Sequence, residues 1–180
     1  PTRRSSDLRE NFVLSSKVGE TFTGGQSQYD FSPEAVTASA ERSLARLHTD
    51  HLDLLLIHSD GNDRDILERS GCVDALKALK QRGLTRCIGM SGKTVAGARL
   101  SLDWADVIMA EYHANDTSHD QVMRDAKERG VGVLVKKALA SGTLEPSQAV
   151  RFAAGHPAVS SVVVGSLNPE HLRANVAALS

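Results

Sequence analysis

Short apolar runs alternate with helix-periodic segments along the chain. Asn11–Ser16, Leu52–Ile57, Thr85–Gly89, Asp106–Ala110, Val131–Val135 and Ser160–Val164 read as strands, recurring at roughly 30-residue intervals. Leu54-Leu55-Leu56-Ile57 shows no polar alternation, so both faces of that strand are expected to be covered, as in a parallel sheet. Each interval carries helical patterning. Val36, Ala40, Leu44 and Leu47 form one stripe. It opens on Ser32-Pro33-Glu34, which supplies an N-cap, a proline at the first helical position and an early acid. The chain turns at His48-Thr49-Asp50. Val73, Leu76 and Leu79 run to a stop at Gly83, and Gln121–Arg129 stops at Gly130, both where a helix-ending glycine belongs. Asn168-Pro169-Glu170 repeats the N-cap logic before Leu172, Val176 and Leu179.

This rhythm predicts an α/β fold with parallel strands. Six units of about 30 residues fill the chain, whereas a full (β/α)8 TIM barrel takes about 250 residues. Two architectures stay open: a doubly wound open sheet, or a barrel represented without its first two units. No G-x-G-x-x-G follows any strand, so the dinucleotide fingerprint of the open sheet is missing.

The run from Pro1 to Leu8 has no periodicity and leads straight into strand-like sequence. It is similar to a translated sequencing adapter. Residues 1–8 are therefore read as a non-native leader, with the gene extending further upstream, and residues 9–180 as the native part.

Charge narrows the function classes. The 180 residues hold 21 basic and 22 acidic side chains, a net charge of −1, and 41% are hydrophobic. Nucleic-acid binding is not expected, because such proteins neutralise phosphates with a basic face. No run approaches the ~18–20 apolar residues of a membrane span. Cys72 and Cys87 make no disulfide framework, and no Cys/His group has zinc spacing, so no metal is expected. Without a secretory leader in view, the cytoplasm is the expected location.

In α/β folds chemistry gathers at the C-terminal ends of strands. Those ends carry Lys17, His58, Ser91, Glu111-Tyr112, Lys136-Lys137 and Gly165-Ser166. Lys17 can shift the titration of neighbouring groups. His58, aimed by the strand before it, can donate to a carbonyl oxygen or move a proton. Ser166 stands before a helix start, where backbone N–H groups suit an anion. Of Lys136 and Lys137, one is expected to line a site and the other to be solvated. A Schiff-base lysine is a third-ranked reading, since no activating partner can be named.

Several segments resemble one family, in order. Leu44-Ala45-Arg46-Leu47-His48-Thr49-Asp50-His51-Leu52-Asp53-Leu54-Leu55-Leu56-Ile57-His58 is similar to the aldo-keto reductase pattern L-x-R-L-x-T-D-Y-[IL]-D-L-x-L-[IV]-H. Phe12–Gly19, Gly83–Ser91 and Val162–Asn175 resemble three more of its segments. The resemblance implies a (β/α)8 barrel, here incomplete, with strands three to eight falling in residues 9–180. It implies reduction of aldehydes or ketones with NADPH, possibly NADH. It assigns Lys17 and His58 to catalysis, Lys17 lowering the pKa of a tyrosine acid and His58 orienting the carbonyl. Ser91 falls beside the nicotinamide carboxamide. Gly165, Ser166 and Asn175 fall around the adenosine phosphate and adenine.

The departures are specific. Nothing in the chain matches the family's Asp and Tyr segment, and neither Tyr29 nor Tyr112 sits where that acid belongs. Gly92-Lys93 follows the motif serine in place of an asparagine. Met109 stands for a glutamine, and Lys136 for the tyrosine that stacks on nicotinamide. His171 stands for the arginine of the 2′-phosphate, and Arg173 is two positions away on a helix, facing elsewhere. The chain alone is expected to be catalytically incomplete, its full-length parent an active monomer or weak oligomer acting on a small carbonyl substrate. The alternative is a non-catalytic nucleotide-binding regulatory protein of the same fold.

Overall fold

The computed structural model describes residues 9–179; the expected leader, residues 1–8, lies outside them. The chain forms two compact units, one ending at Ala105 and one beginning at Asp106.

The first unit has three parallel strands: β1 (Ser15–Val18), β4 (Leu52–His58) and β5 (Thr85–Ser91). β4 lies between the other two. Helices α1 (Pro33–Leu47) and α3 (Cys72–Gln81) cover one face. α1 starts where Ser32 accepts the Ala35 N–H at 3.3 Å, and it ends at His48 in a left-handed conformation (φ 51°). Its buried stripe is Val36, Ala40 and Leu44. These pack with Leu55, Ile57, Ile88 and Met90 from the strands. Leu54 and Leu56, on the other parity of β4, point to the opposite face and are also buried. Two shorter helices, α2 (Asp63–Arg69) and α4 (Val95–Ser101), follow β4 and β5.

Two elements of this unit differ from expectation. The first strand begins at Ser15, not Asn11. Asp53 sits at that point: its carboxylate accepts the Leu14 N–H at 2.8 Å and pairs with Arg9 at 2.8 Å, while the Leu14 carbonyl accepts the backbone N–H groups of Asp53 (3.0 Å) and Leu54 (3.1 Å), anchoring the incoming chain to β4 just before the regular pairing begins. The segment after Gly19, which lies between the expected strands and helices, is a hairpin, β2 (Glu20–Thr23) with β3 (Gln26–Tyr29). Gly24 and Gly25 turn it with φ of 61° and 80°, the signature of a two-residue hairpin turn.

The second unit has parallel strands β6 (Val107–Glu111), β7 (Gly132–Lys136) and β8 (Ser161–Val162). β8 is shorter than the expected Ser160–Val164. Among the described residues it has only β7 as a neighbour. Helices α5 (Asp120–Glu128), α6 (Pro146–Ala154) and α7 (Pro169–Ala177) complete the unit. No helix among the described residues is long and apolar enough to cross a membrane.

Among the described residues β1 and β8 each have one strand neighbour, and Val13, Leu167 and Val176 are 80%, 106% and 61% exposed. Unpaired edges beside exposed apolar side chains favour association. In isolation the chain is expected to self-associate in sedimentation velocity; a monodisperse monomer over a wide concentration range contradicts this.

Candidate active site

Strand register places the first unit's candidates. Lys17 pairs with Leu56, and His58 pairs with Ser91. Aligned residues in a parallel pair project to the same side, and residues two apart on a strand do likewise. Lys17, His58 and Ser91 therefore share one face at the C-terminal ends of three adjacent strands. This is the face opposite α1 and α3. Ser91 is buried and Lys17 is exposed.

His58 is held from the hairpin. Its Nδ1 meets Glu20 Oε2 at 2.5 Å. The other carboxylate oxygen of Glu20 accepts from the Ser27 hydroxyl at 2.5 Å and from the Tyr29 hydroxyl at 3.4 Å. Nδ1 is thus committed to a carboxylate and carries a proton, which fixes the orientation of the ring. Gly19, with φ 96°, makes the link between β1 and the hairpin possible: a Cβ there collides with the Phe31 ring.

Asp63 fixes the loops behind His58 and Ser91. It is 1% exposed, at the start of α2. The Ser59 hydroxyl donates to it. So do the backbone N–H groups of Lys93 (2.9 Å) and Thr94 (2.8 Å) and the Thr94 hydroxyl (2.7 Å). A Cβ at Gly92 or Gly97 would press on this carboxylate. The departure at Gly92-Lys93 thereby has a local cause: this loop wraps a buried acid. Nothing in the periodicity marks Asp63. Its signal is the pair of glycines 29 and 34 residues downstream, which only the folded chain brings to it.

The second unit holds the remaining candidates. Met109 pairs with Leu134 and Glu111 with Lys136, so Met109, Glu111 and Lys136 share a face. Lys137 reaches Glu111 Oε2 at 2.7 Å, and His113 approaches Oε1 at 3.4 Å. Burial raises and the Lys137 ammonium lowers the Glu111 pKa, with a net shift below the usual value. Gly165, Ser166, His171 and Asn175 come together in a cavity of about 250 Å³, along with Leu139 and Glu145; Lys136 does not line it. Asn175 is 7% exposed, and its side chain makes no hydrogen bond among the described residues.

The N–H groups expected to receive an anion there are already used. Asn168 Oδ1 takes the Glu170 N–H at 3.0 Å, and the Asn168 carbonyl takes that of His171 at 3.1 Å. Pro169 has none. The Ser166 hydroxyl accepts the Asn168 N–H at 3.1 Å and lies 3.3 Å from His171 Nδ1. Arg173 turns away to Glu170, as its helical position implies.

Replacing Asp63 by Ala leaves several buried donors without an acceptor, at about 1–3 kcal/mol for each one fully stranded. The expected loss in a urea melt is about 3 kcal/mol or more; a change under about 0.5 kcal/mol contradicts the assignment. Glu20 gives a pH prediction. The Ser27 hydroxyl, with His58 adding, holds its carboxyl below the ordinary 4.5. A depressed acid contributes stability above its unfolded pKa and loses it as pH falls through the folded value. The hairpin's tie to His58 is expected to survive acidification through the ordinary glutamate range and break only below it. An NMR titration of the Glu20 carboxyl carbon with its midpoint at or above 4.5 contradicts this.

The comparisons with known proteins agree on one family. The aldo/keto reductase family model matches residues 2–149. A solved chain from Pseudomonas aeruginosa assigned to the aldo-keto reductases is 44% identical, with a TM-score of 0.91 over 99% of this chain and 73% of that one. An aldo-keto reductase from Bacillus halodurans shares the fold at 24% identity, with a TM-score of 0.84 over 98% and 71% of the two chains. The L-galactose dehydrogenase of Arabidopsis thaliana is 33% identical over 145 residues, 76% of this chain and 44% of the relative. The D-arabinose 1-dehydrogenase of Saccharomyces cerevisiae is 32% identical over 92 residues, 49% and 25% of the two chains. The chain thus spans less than half the length of these two relatives. The solved neighbours are (β/α)8 barrels, which resolves the choice against the open sheet; this chain carries six of the parallel strands. The chain belongs to the aldo/keto reductase family.

Proposed function

We propose that the parent protein interconverts an aldehyde or ketone and its alcohol with a nicotinamide dinucleotide, NADPH or NADH. The placement of Lys17, His58 and Ser91 on one face at three adjacent strand ends carries this reading. Family members use NAD(P)H, whose reduced ring supplies hydride when bound. The cavity at Gly165–Asn175, with the unpartnered Asn175 amide, fits the nucleotide end of such a molecule.

Each residue has a role that its setting supports. With its ring oriented by Glu20 through Nδ1, His58 stands to donate a hydrogen bond to the carbonyl oxygen, opposing the charge that develops there. The Lys17 ammonium adds positive charge on the same face. Ser91, buried beside His58 in register, suits the nicotinamide carboxamide. Proton delivery needs another hydroxyl. Tyr112 is 6% exposed and stacked on Phe152, and the Tyr29 hydroxyl donates to Glu20. The 180-residue chain alone is therefore expected to bind the dinucleotide and not turn over. Two relatives with sugar dehydrogenase names make a hydroxylated aldehyde the first substrate class to test. Neither Cys72 nor Cys87 is in a disulfide among the described residues, which supports a reducing, cytoplasmic setting.

Calorimetry is expected to show reduced dinucleotide binding to this chain. Its absence overturns the reading. With 4-nitrobenzaldehyde or an aldose, nicotinamide oxidation is expected from the longer gene product and not from this chain; turnover by this chain contradicts the assigned incompleteness.

A further inference from the structure

The hairpin β2–β3 has two faces, and strand register gives each a direction. Glu20 pairs with Tyr29 and Phe22 with Ser27, so these side chains project to one side; Thr21 and Gln28 project to the other. The Glu20 carboxylate meets His58 Nδ1 at 2.5 Å, so the first face looks toward His58. Thr21 and Gln28 line a cavity with Ala35, Ser39 and Arg42 of α1, so the second face looks away from it. The hairpin is thus a wall beside the strand ends. Phe22 stands on its inner face two residues beyond Glu20, about 7 Å further along the strand.

The neighbours of Phe22 on that face are already engaged. Glu20 holds His58. The Ser27 and Tyr29 hydroxyls both donate to the other Glu20 oxygen, at 2.5 Å and 3.4 Å. The Tyr29 ring stacks with Phe31 at 6.1 Å between centroids, and Phe31 packs against the core of the unit. Phe22 is the exception: it is 70% exposed and makes no ring contact among the described residues. An aromatic ring left in water gains by burial against a flat apolar partner. With both hydroxyl protons spent on Glu20, this wall suits an aryl ring better than a chain of hydroxyls. A carbonyl group held at His58 brings a ring attached to its carbon toward Phe22.

We propose that Phe22 is a specificity-determining residue that stacks on the aryl ring of an aromatic aldehyde or ketone and favours it over an open-chain hydroxylated aldehyde. The inference rests on the reading that a carbonyl compound reacts beside His58. It also separates this chain from the sugar dehydrogenase names among its relatives.

The test is the kinetics of the longer gene product with 4-nitrobenzaldehyde and with glyceraldehyde, an open-chain hydroxylated aldehyde. Phe22→Ala is expected to lower kcat/KM for the aryl aldehyde about tenfold, chiefly through KM, as loss of a ring stack and its buried area implies. The glyceraldehyde value is expected to stay within about twofold. Phe22→Trp keeps an aromatic face and is expected to retain the aryl preference. Thr21→Ala, on the side toward α1, is expected to change neither value. Benzamide, an unreactive aryl carbonyl compound, gives a readout apart from turnover: in NMR spectra of the longer product it is expected to shift the ring resonances that Phe22→Leu removes. An equal loss for both aldehydes in Phe22→Ala overturns the inference in favour of a structural role and leaves carbonyl reduction standing. An unchanged aryl value, or Phe22 resonances that benzamide leaves in place, does the same. Turnover of neither aldehyde by the unaltered product overturns the reduction reading and the inference with it.

Discussion

Burial of β4 on both faces is the constraint from which the first unit's site follows. Leu55 and Ile57 pack under α1 and α3, while Leu54 and Leu56 fill the opposite face. Such a strand has no tolerance for slippage, since a shift of one residue exchanges its two faces. Its register with β1 and β5 is thereby set, and with it the alignment of Lys17, His58 and Ser91. Polar groups appear only where the strand ends and water or a ligand can reach them. The site is where the core's rule of apolar burial stops.

Carboxylates then shape what the strand ends present. Asp63 is buried with a full set of donors, so its charge is matched by hydrogen bonds and serves to lock two loops. Glu20 is partly exposed and divides its oxygens between Ser27 and His58, which orients a ring that must meet substrate. Glu145 caps a helix and also faces a cavity. One functional group performs three tasks, and the difference lies in how many of its lone pairs the protein itself satisfies.

Much of this was legible in the residues. The α/β class, the helix caps at Ser32 and Asn168 and the terminating glycines Gly83 and Gly130 all rest on local chemistry. So does the gathering of ionisable groups after strands. Less was legible where a distant contact overrides a local preference. The Asn11–Leu14 segment looks like a strand, yet regular pairing starts only at Ser15, with Leu14 taken by the Asp53 carboxylate and the backbone N–H groups of Asp53 and Leu54. The Gly19–Phe31 segment hides its hairpin because the strands flanking Gly24-Gly25 are four residues each and carry little apolar alternation.

The periodicity, the caps and the identities of the groups at each strand end are local properties, because they depend on neighbours within one helical turn or one strand. What those groups meet is settled by folding. Glu20 and His58 are 38 positions apart, and Asp63 and Thr94 are 31 apart. Partnerships at such separations are set by strand register and helix placement, which come from packing the whole core and not from any local preference.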